Sequence, residues 1–200
     1  MRISDIRISI VTLGILAASV AISGWADNEH SAGHTAAAPS QGLILTATEG
    51  ERRLRRPPPG ALSNLTAPFI LKVDRVNGGA PEFVMITEDI PPGQSIPAHH
   101  HPHSDEIIFI HGGTGLASLA GRQATVTTGA TIYMPRNTIV GLRNTGTESL
   151  SIVAIFSRPG YEEYLREISV PEGQTPTPLS VTELAAIRAR HLDSAVYEKP

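Results

Sequence analysis

Residues 93–113, GQSIPAHHHPHSDEIIFIHGG, contain five of the eight histidines of this 200-residue chain. His99 and His101 stand two positions apart, and side chains two apart on a strand point to the same face. Glu106 follows after one short turn and can meet them from a neighbouring strand. Two imidazoles and a carboxylate that leave coordination positions open suit Fe, Mn, Ni, Cu or Zn. The pattern therefore predicts a site for one divalent transition metal.

The same parity separates these three residues from their neighbours. His100 and His111 have the opposite parity, and we expect both to lie outside the site. Ile96 and Ala98 are expected to face away from it as well. His103 has the parity of the ligands, but Pro102 ends the regular strand before it. A water molecule in the open position is therefore favoured, and His103 is the alternative fourth ligand.

Most of the chain predicts short β-strands. From residue 69, runs rich in Ile, Val, Phe and Thr are bounded by Gly, Pro, Asn or Asp, at spacings of about 8–12 residues. No long helical pattern separates these runs, so an antiparallel sandwich or barrel is favoured over parallel βαβ units. Residues 160–167 and 180–191 are predicted helices, the second opened by a capping box. Both are expected to pack on the outside of the barrel or on a second subunit.

The first 26 residues have the pattern of a secretory signal peptide. Arg2 and Arg7 precede an uncharged, mostly apolar run over residues 8–23, and Gly24 and Ala26 provide small residues at a cleavage site. The alternative is an uncleaved anchor, although spanning a bilayer usually takes about 20 apolar residues. We therefore expect a periplasmic or secreted protein that has no membrane contact after cleavage.

Residues 27–66 are predicted to form a flexible linker and an N-terminal arm. Residues 51–59, ERRLRRPPP, are interpreted as a solvated connecting loop, because proline is excluded from central strands. The alternative is a basic arm for an anionic partner. The net charge of −3 argues against nucleic-acid binding. The barrel is assigned to residues 67–157 and a helical extension to residues 158–200.

The spacing in the opening stretch is also that of a known motif. Gly93, His99, His101, Glu106 and Gly113 resemble the first motif of the cupin superfamily at every position. The resemblance covers about residues 69–167. It implies an all-β fold, a cupin-like antiparallel jelly-roll β-barrel, with a short C-terminal helical extension. It also implies that the two histidines and the glutamate hold the metal.

A second motif of the family is matched in part. Gly129, Pro135 and Asn144 stand at its positions, but Asn137 replaces a glycine and Val140 replaces the fourth ligand, a histidine. Asparagine can adopt the left-handed backbone conformation that glycine would supply. Valine cannot coordinate a metal. A degenerate cupin that binds a small molecule without metal is therefore the alternative.

Val140 adds an apolar wall where a polar ligand normally stands. Its expected neighbours are Ile108, Ile110, Met134 and Leu142. Such a pocket suits an aromatic or apolar small molecule better than a sugar. Tyr133 and Arg143 are candidates to orient an anionic or phenolic group, and the alternative is that both are ordinary surface residues at the rim.

The tail SRPGYEEYLRE, residues 157–167, is similar to that of bacterial quercetin-dioxygenase-like, single-domain cupins of type 2. If the protein is an enzyme, this resemblance implies oxygen-dependent cleavage of a small aromatic or enolisable substrate. Glu106 would then be both metal ligand and proton acceptor. The alternatives are a non-enzymatic small-molecule-binding module and a metal-assisted isomerase or lyase. The same resemblance implies a homodimer.

Overall fold

The computed structural model describes residues 42–59, 67–77 and 82–198. The predicted signal peptide, residues 1–26, and the predicted linker up to residue 41 lie outside these ranges, so the domain boundaries stay predictions. None of the helices in the described ranges has the length and apolar character that crossing a bilayer requires.

The described chain forms β-strands through the barrel region and two short helices after it. The strands are β1 (Glu51–Arg55), β2 (Pro68–Val73), β3 (Val84–Ile90), β4 (Ser95–His100), β5 (Glu106–Gly112), β6 (Thr114–Leu119), β7 (Arg122–Thr127), β8 (Thr131–Met134), β9 (Val140–Asn144), β10 (Leu150–Phe156), β11 (Ser169–Pro171) and β12 (Val196–Tyr197). The helices are α1 (Tyr161–Glu167) and α2 (Val181–Arg190).

The strands form two antiparallel sheets that face each other. One sheet has the order β11-β1-β2-β3-β10-β5-β8, and the other has the order β12-β4-β9-β6-β7. This is the predicted all-β jelly roll with short C-terminal helices, and that prediction is confirmed. The strands β11 and β12 follow the barrel in sequence, yet each returns to an edge of one sheet.

Alternation of side chains along the strands builds the core. In β10, Leu150, Ile152, Ala154 and Phe156 point inward, whereas the residues between them are more exposed. One apolar cluster fills the barrel, and a second joins the barrel wall to α1 and α2. The helices therefore pack against the barrel as expected. Fully burying one such aliphatic or aromatic side chain contributes about 1.5–3 kcal/mol.

The interpretation of residues 51–59 as a solvated loop is wrong. Residues 51–55 form β1, which pairs with β2 on one side and β11 on the other. The prolines begin only after the strand ends, so they do not interrupt its ladder. Arg53 is buried and Arg55 is half-buried because both have partners: Arg53 donates to the hydroxyl of Ser169, and Arg55 pairs with Glu88.

Two motif positions adopt left-handed backbone conformations. Asn137, with φ of 62°, takes the place of the family's glycine, and its amide donates to the carbonyl of His101. Gly113 has φ of 84°, and a Cβ atom there would lie 2.3 Å from the carbonyl oxygen of Ser149. The first position tolerates asparagine, whereas the second requires glycine.

Candidate metal centre

The three predicted ligands meet at one end of the barrel. His99 lies near the end of β4, His101 follows that strand, and Glu106 begins β5. Each offers one ligand atom, and these atoms lie within 4.8 Å of one another. The residues are 3%, 0% and 4% exposed. The spacing and parity of the motif therefore predicted a real convergence of side chains.

Backbone carbonyls set the tautomers of both imidazoles. Nδ1 of His99 lies 2.8 Å from the carbonyl oxygen of Pro97, and Nδ1 of His101 lies 2.5 Å from that of Ser194. A carbonyl only accepts hydrogen bonds, so in each ring Nδ1 carries the proton and Nε2 keeps a lone pair. Histidines that bind metals commonly donate their second ring nitrogen to a carbonyl in this way.

Two of the atoms that face the centre have no hydrogen-bond partners. Nε2 of His101 lies 3.4 Å from Oε2 of Glu106, and both atoms are buried and unpaired. With Nδ1 protonated, the two facing atoms are both acceptors, an unfavourable arrangement in a buried site. A divalent cation between them satisfies both. The donor set of two imidazole nitrogens and one carboxylate thus fits a transition metal ion with open positions.

Val140 stands beside this centre, as the motif predicted. It pairs with His99 across β4 and β9 and is 1% exposed. The cavity next to the ligands has a mostly apolar wall that includes Ile108 and Leu142. Ile110 and Met134 belong to the same apolar cluster as Val140 but do not line the cavity. The centres of water molecules can occupy a volume of ≈ 30 Å³ in this cavity. The cavity therefore has room for about two water molecules. A substrate of any size therefore requires this cavity to open.

The expectation that Ile96 faces away from the site is wrong. Ile96 lines the cavity together with His99, although the two residues have opposite parity. The pairing of β4 with β9 shifts by one residue between them. Such a β-bulge reverses the alternation beyond it, so both side chains enter the barrel.

The other histidines of the motif stretch lie outside the centre. His100 and His111 point elsewhere as predicted: Nδ1 of His100 is 3.6 Å from Glu198, and His111 lies on the outer surface. The alternative of His103 as the fourth ligand is wrong. Its side chain is 61% exposed, and Nε2 lies 3.7 Å from Asp193.

Tyr133 and Arg143 do not orient a ligand in this cavity. Both are exposed, and neither contributes to the cavity wall. Tyr133 points outward from β8 and Arg143 outward from β9, because each alternates with buried neighbours on its strand. The alternative interpretation, that they are surface residues, is confirmed.

Two tyrosines pack on the ligands instead. The ring of Tyr161, from α1, lies 4.7 Å from that of His101, and the ring of Tyr197, from β12, lies 5.3 Å from that of His99. Their hydroxyl oxygens are 3.0 Å apart. Helical periodicity placed Tyr161 on an apolar face of α1 but did not identify its partner. No feature of the sequence indicated that the chain pairs with β4 again at Tyr197.

A buried ion pair forms the far wall of the cavity. Nη2 of Arg55 donates to Oε2 of Glu88 over 3.0 Å, and Nη1 donates to the other carboxylate oxygen. Burial raises the pKa of the Glu88 carboxyl, and the charge of Arg55 opposes this rise. Glu88 shares the inward parity of Ile86 and Ile90, which was a sequence signal that it is buried. The cavity is thus apolar with a polar pole at each end.

The metal-free protein is expected to lose stability as the pH falls. Burial, followed by the neighbouring His101, lowers the pKa of His99 from 6.5 to about 4. Between those values the unfolded chain binds a proton that the folded protein does not, so the unfolding free energy decreases by up to about 3 kcal/mol. Denaturant unfolding with chelator, from pH 7 downward, measures this loss. In the His99→Gln variant the unfolding free energy should depend less steeply on pH than in the control His103→Gln. Equal slopes of unfolding free energy against pH in the two variants would contradict the prediction.

The fold and donor set define a jelly-roll barrel with a candidate metal site at one end. Residues 86–156 match the model of the cupin domain family, Cupin_2. These residues contain the first motif and all three candidate ligands. Residues 86–156 therefore form a cupin domain, which assigns this barrel to the cupin superfamily.

Solved structures with the same fold are only distantly similar. KdgF from Halomonas sp. is 16% identical with a TM-score of 0.43, over 48% of this chain and 84% of that one. A predicted oxalate decarboxylase from Thermotoga maritima is 18% identical with a TM-score of 0.49, over 58% of this chain and 100% of that one. The Cnp3 cupin domain from Schizosaccharomyces pombe is 18% identical with a TM-score of 0.42, over 57% and 79%. Similarities this low show the shared fold alone and do not assign an activity to this chain. No curated protein sequence is significantly similar to the chain.

Proposed function

We propose that the protein is a metal-dependent cupin enzyme that cleaves a small aromatic or enolisable substrate with oxygen. The observation that carries the metal site is the buried, unpaired facing of His101 Nε2 and Glu106 Oε2. Three protein ligands leave positions free for water or substrate, as catalytic rather than structural metal sites do. The tail resemblance to quercetin-dioxygenase-like cupins supports the oxygen-dependent reaction.

The residues around the centre have separable roles in this proposal. A bound metal supplies Lewis acidity and orients the substrate. Glu106 holds the metal and accepts a proton from a substrate hydroxyl, as a buried carboxylate within hydrogen-bond reach is able to do. Val140 and the apolar wall exclude bulk water. The Arg55–Glu88 pair keeps the opposite end of the cavity polar.

Oxygen uptake tests the reaction. Protein loaded in turn with Fe(II), Mn(II), Ni(II), Cu(II) and Zn(II) is mixed with a flavonol and with a small 1,3-diketone. Because the cavity is small, we expect the diketone to be the better substrate, and chelation to abolish uptake. Oxygen consumption that is equal with the metal-loaded protein, the chelated protein and no protein would contradict the proposal. Product formation without oxygen uptake would indicate an isomerase or lyase instead.

A non-enzymatic binding module is the second candidate, and Val140 favours it. With valine in place of a fourth ligand, the metal has fewer protein donors than the family motif supplies. Titration calorimetry with the same small molecules separates the two candidates. Saturable binding without turnover under any of the metals would favour the module.

We further propose that the protein forms a homodimer through the outer face of its seven-stranded sheet. Ile107, Phe109, Tyr133 and Ile155 lie on neighbouring strands there and are 38–56% exposed. An exposed apolar patch of this kind is typical of an interface, and a two-fold dimer places the same patch of both subunits in contact. Sedimentation velocity should show a dimer for the wild-type protein and a monomer for Phe109→Lys. A wild-type monomer would contradict this proposal.

Export to the periplasm or medium is also proposed, on the signal-peptide pattern of residues 1–26. The expected mature protein begins at Asp27. Mass spectrometry of protein recovered from a periplasmic extract measures the mature N-terminus, and recovery of the full-length chain only from the cytoplasm would contradict export.

A further inference from the structure

A second cavity adjoins the cavity of the candidate metal site and lies between the barrel and the two helices. It leaves ≈ 60 Å³ to the centres of water molecules, which is room for about four or five. That volume corresponds to one small organic molecule. The two cavities share Arg55, Ile96 and Tyr161 in their walls. We call this second cavity the helix-side chamber.

The helix-side chamber carries an excess of positive charge. Its wall includes Arg55, Arg56 and Arg188 but no carboxylate side chain. Arg55 is neutralised by Glu88, and Arg56 by Glu183 over 2.6 Å. In the described part of the chain no carboxylate lies within 4 Å of the Arg188 guanidinium. One cationic group of this chamber is therefore without a counter-ion.

The side chain of Arg188 forms part of the chamber wall. It lies on α2 one turn after the buried Leu184, so both side chains are on the same helix face. Its guanidinium stacks over the ring of Tyr197 at 4.5 Å from the ring centre. Its Nε atom is buried and has no hydrogen-bond partner. A buried, unpaired donor of a charged group is unfavourable, and an anionic ligand would satisfy it.

Tyrosine hydroxyls provide further donors in the same place. Tyr161, Tyr164 and Tyr197 line the chamber and are three of the four tyrosines in the protein. Burial raises the pKa of the Tyr161 and Tyr197 hydroxyls well above the ordinary value, so both stay protonated. The two hydroxyls share one hydrogen bond, so one of them keeps a proton that it can donate to an anion. The rest of the wall is apolar, with Ile168, Leu179 and Leu184.

We propose that the helix-side chamber binds a small apolar carboxylic acid, with its carboxylate at Arg188 and its body against the apolar wall. A planar guanidinium matches a carboxylate geometrically, and a half-apolar wall favours an organic acid over a bare inorganic anion. This binding does not depend on the metal. A second step rests on the proposed function: the acid bound in the chamber is the substrate of the enzyme, and its reactive end reaches the metal past Tyr161.

Titration of the chelated protein with benzoate tests the proposal, with benzamide and inorganic phosphate as comparison ligands. We expect benzoate to bind more tightly than either. Because a hydrogen bond to a charged group is worth about 1.5–3 kcal/mol, Arg188→Gln should weaken benzoate binding at least about tenfold. Arg190→Gln, two residues further along the same helix and exposed, is the matched control and should leave binding unchanged.

A second measurement in the wild-type protein does not depend on a variant that folds. The Nε–H resonance of Arg188 should shift on benzoate addition and should not shift with benzamide. No benzoate binding, equal benzoate affinity in the two glutamine variants, or an unshifted Arg188 resonance would overturn the proposal. Tighter binding of phosphate than of benzoate would overturn the assignment to an organic acid. All of these readouts use metal-free protein, so they stand whether or not the metal proposal fails.

Discussion

The His101→Ala variant is expected to purify without bound metal, whereas the wild-type protein carries about one equivalent. His101 is fully buried, its Nε2 faces Glu106, and its Nδ1 is bonded to the carbonyl of Ser194. Loss of groups that merely orient a ligand typically costs about 10–100-fold in metal affinity, so loss of the ligand itself should cost at least about 100-fold. Elemental analysis of protein purified without a histidine tag measures the content.

The control for this prediction is His103→Ala, which removes an imidazole two residues away that is exposed and outside the centre. It should retain the wild-type metal content. Glu106→Gln is the second test variant, because glutamine keeps the shape of the side chain while removing its charge. Circular dichroism confirms that each variant is folded. Equal metal content in His101→Ala and His103→Ala would remove the metal site from the proposal.

The Arg55→Met variant is expected to be destabilised by about 3–5 kcal/mol, because it leaves the Glu88 carboxylate buried without its partner. Glu88 is 7% exposed, and the guanidinium of Arg55 also stacks on Phe69 at 4.7 Å. Methionine retains much of the apolar stem, so the loss arises mainly from the missing charge. A change of this size is a large part of the usual total stability of a domain. Denaturant unfolding measures it.

Two further variants separate the buried charge from general effects. The double variant Arg55→Met, Glu88→Met should recover most of the lost stability, because no unpaired charge remains. Arg52 lies on the same strand as Arg55 and forms a more exposed pair with Glu172. Breaking that pair with Arg52→Met should cost no more than about 1 kcal/mol. If Arg55→Met and Arg52→Met were equally stable, the ion pair would have no special role in the cavity.

The sequence predicted the parts of this structure that depend on local spacing. Strand periodicity and turn residues predicted the all-β barrel, and the motif predicted that His99, His101 and Glu106 would converge. The replacement of the fourth ligand by Val140 was also readable, since its place is set by the second motif. Each of these predictions uses residues that are near in sequence or paired by a simple alternation.

The remainder depends on long-range pairing that a single sequence does not reveal. The bulge that turns Ile96 inward arises from the match between β4 and β9. Arg55 enters the site only because β1 pairs with β2 and β11, and its buried partner Glu88 lies 33 residues away. Tyr197 reaches His99 through the two-residue strand β12. None of these partners is marked by composition or spacing.

The hydrogen bond from His101 to the Ser194 carbonyl also has a consequence for biosynthesis. The two residues are 93 positions apart in the chain, and polypeptides are made from the N-terminus. All three candidate ligands are therefore synthesised long before the carbonyl that fixes the orientation of one of them. A nascent chain that has completed only the barrel carries the three candidate ligands but lacks the carbonyl that accepts the hydrogen bond from His101. The proposed metal site therefore has both of its imidazoles oriented only after residue 194 has been added.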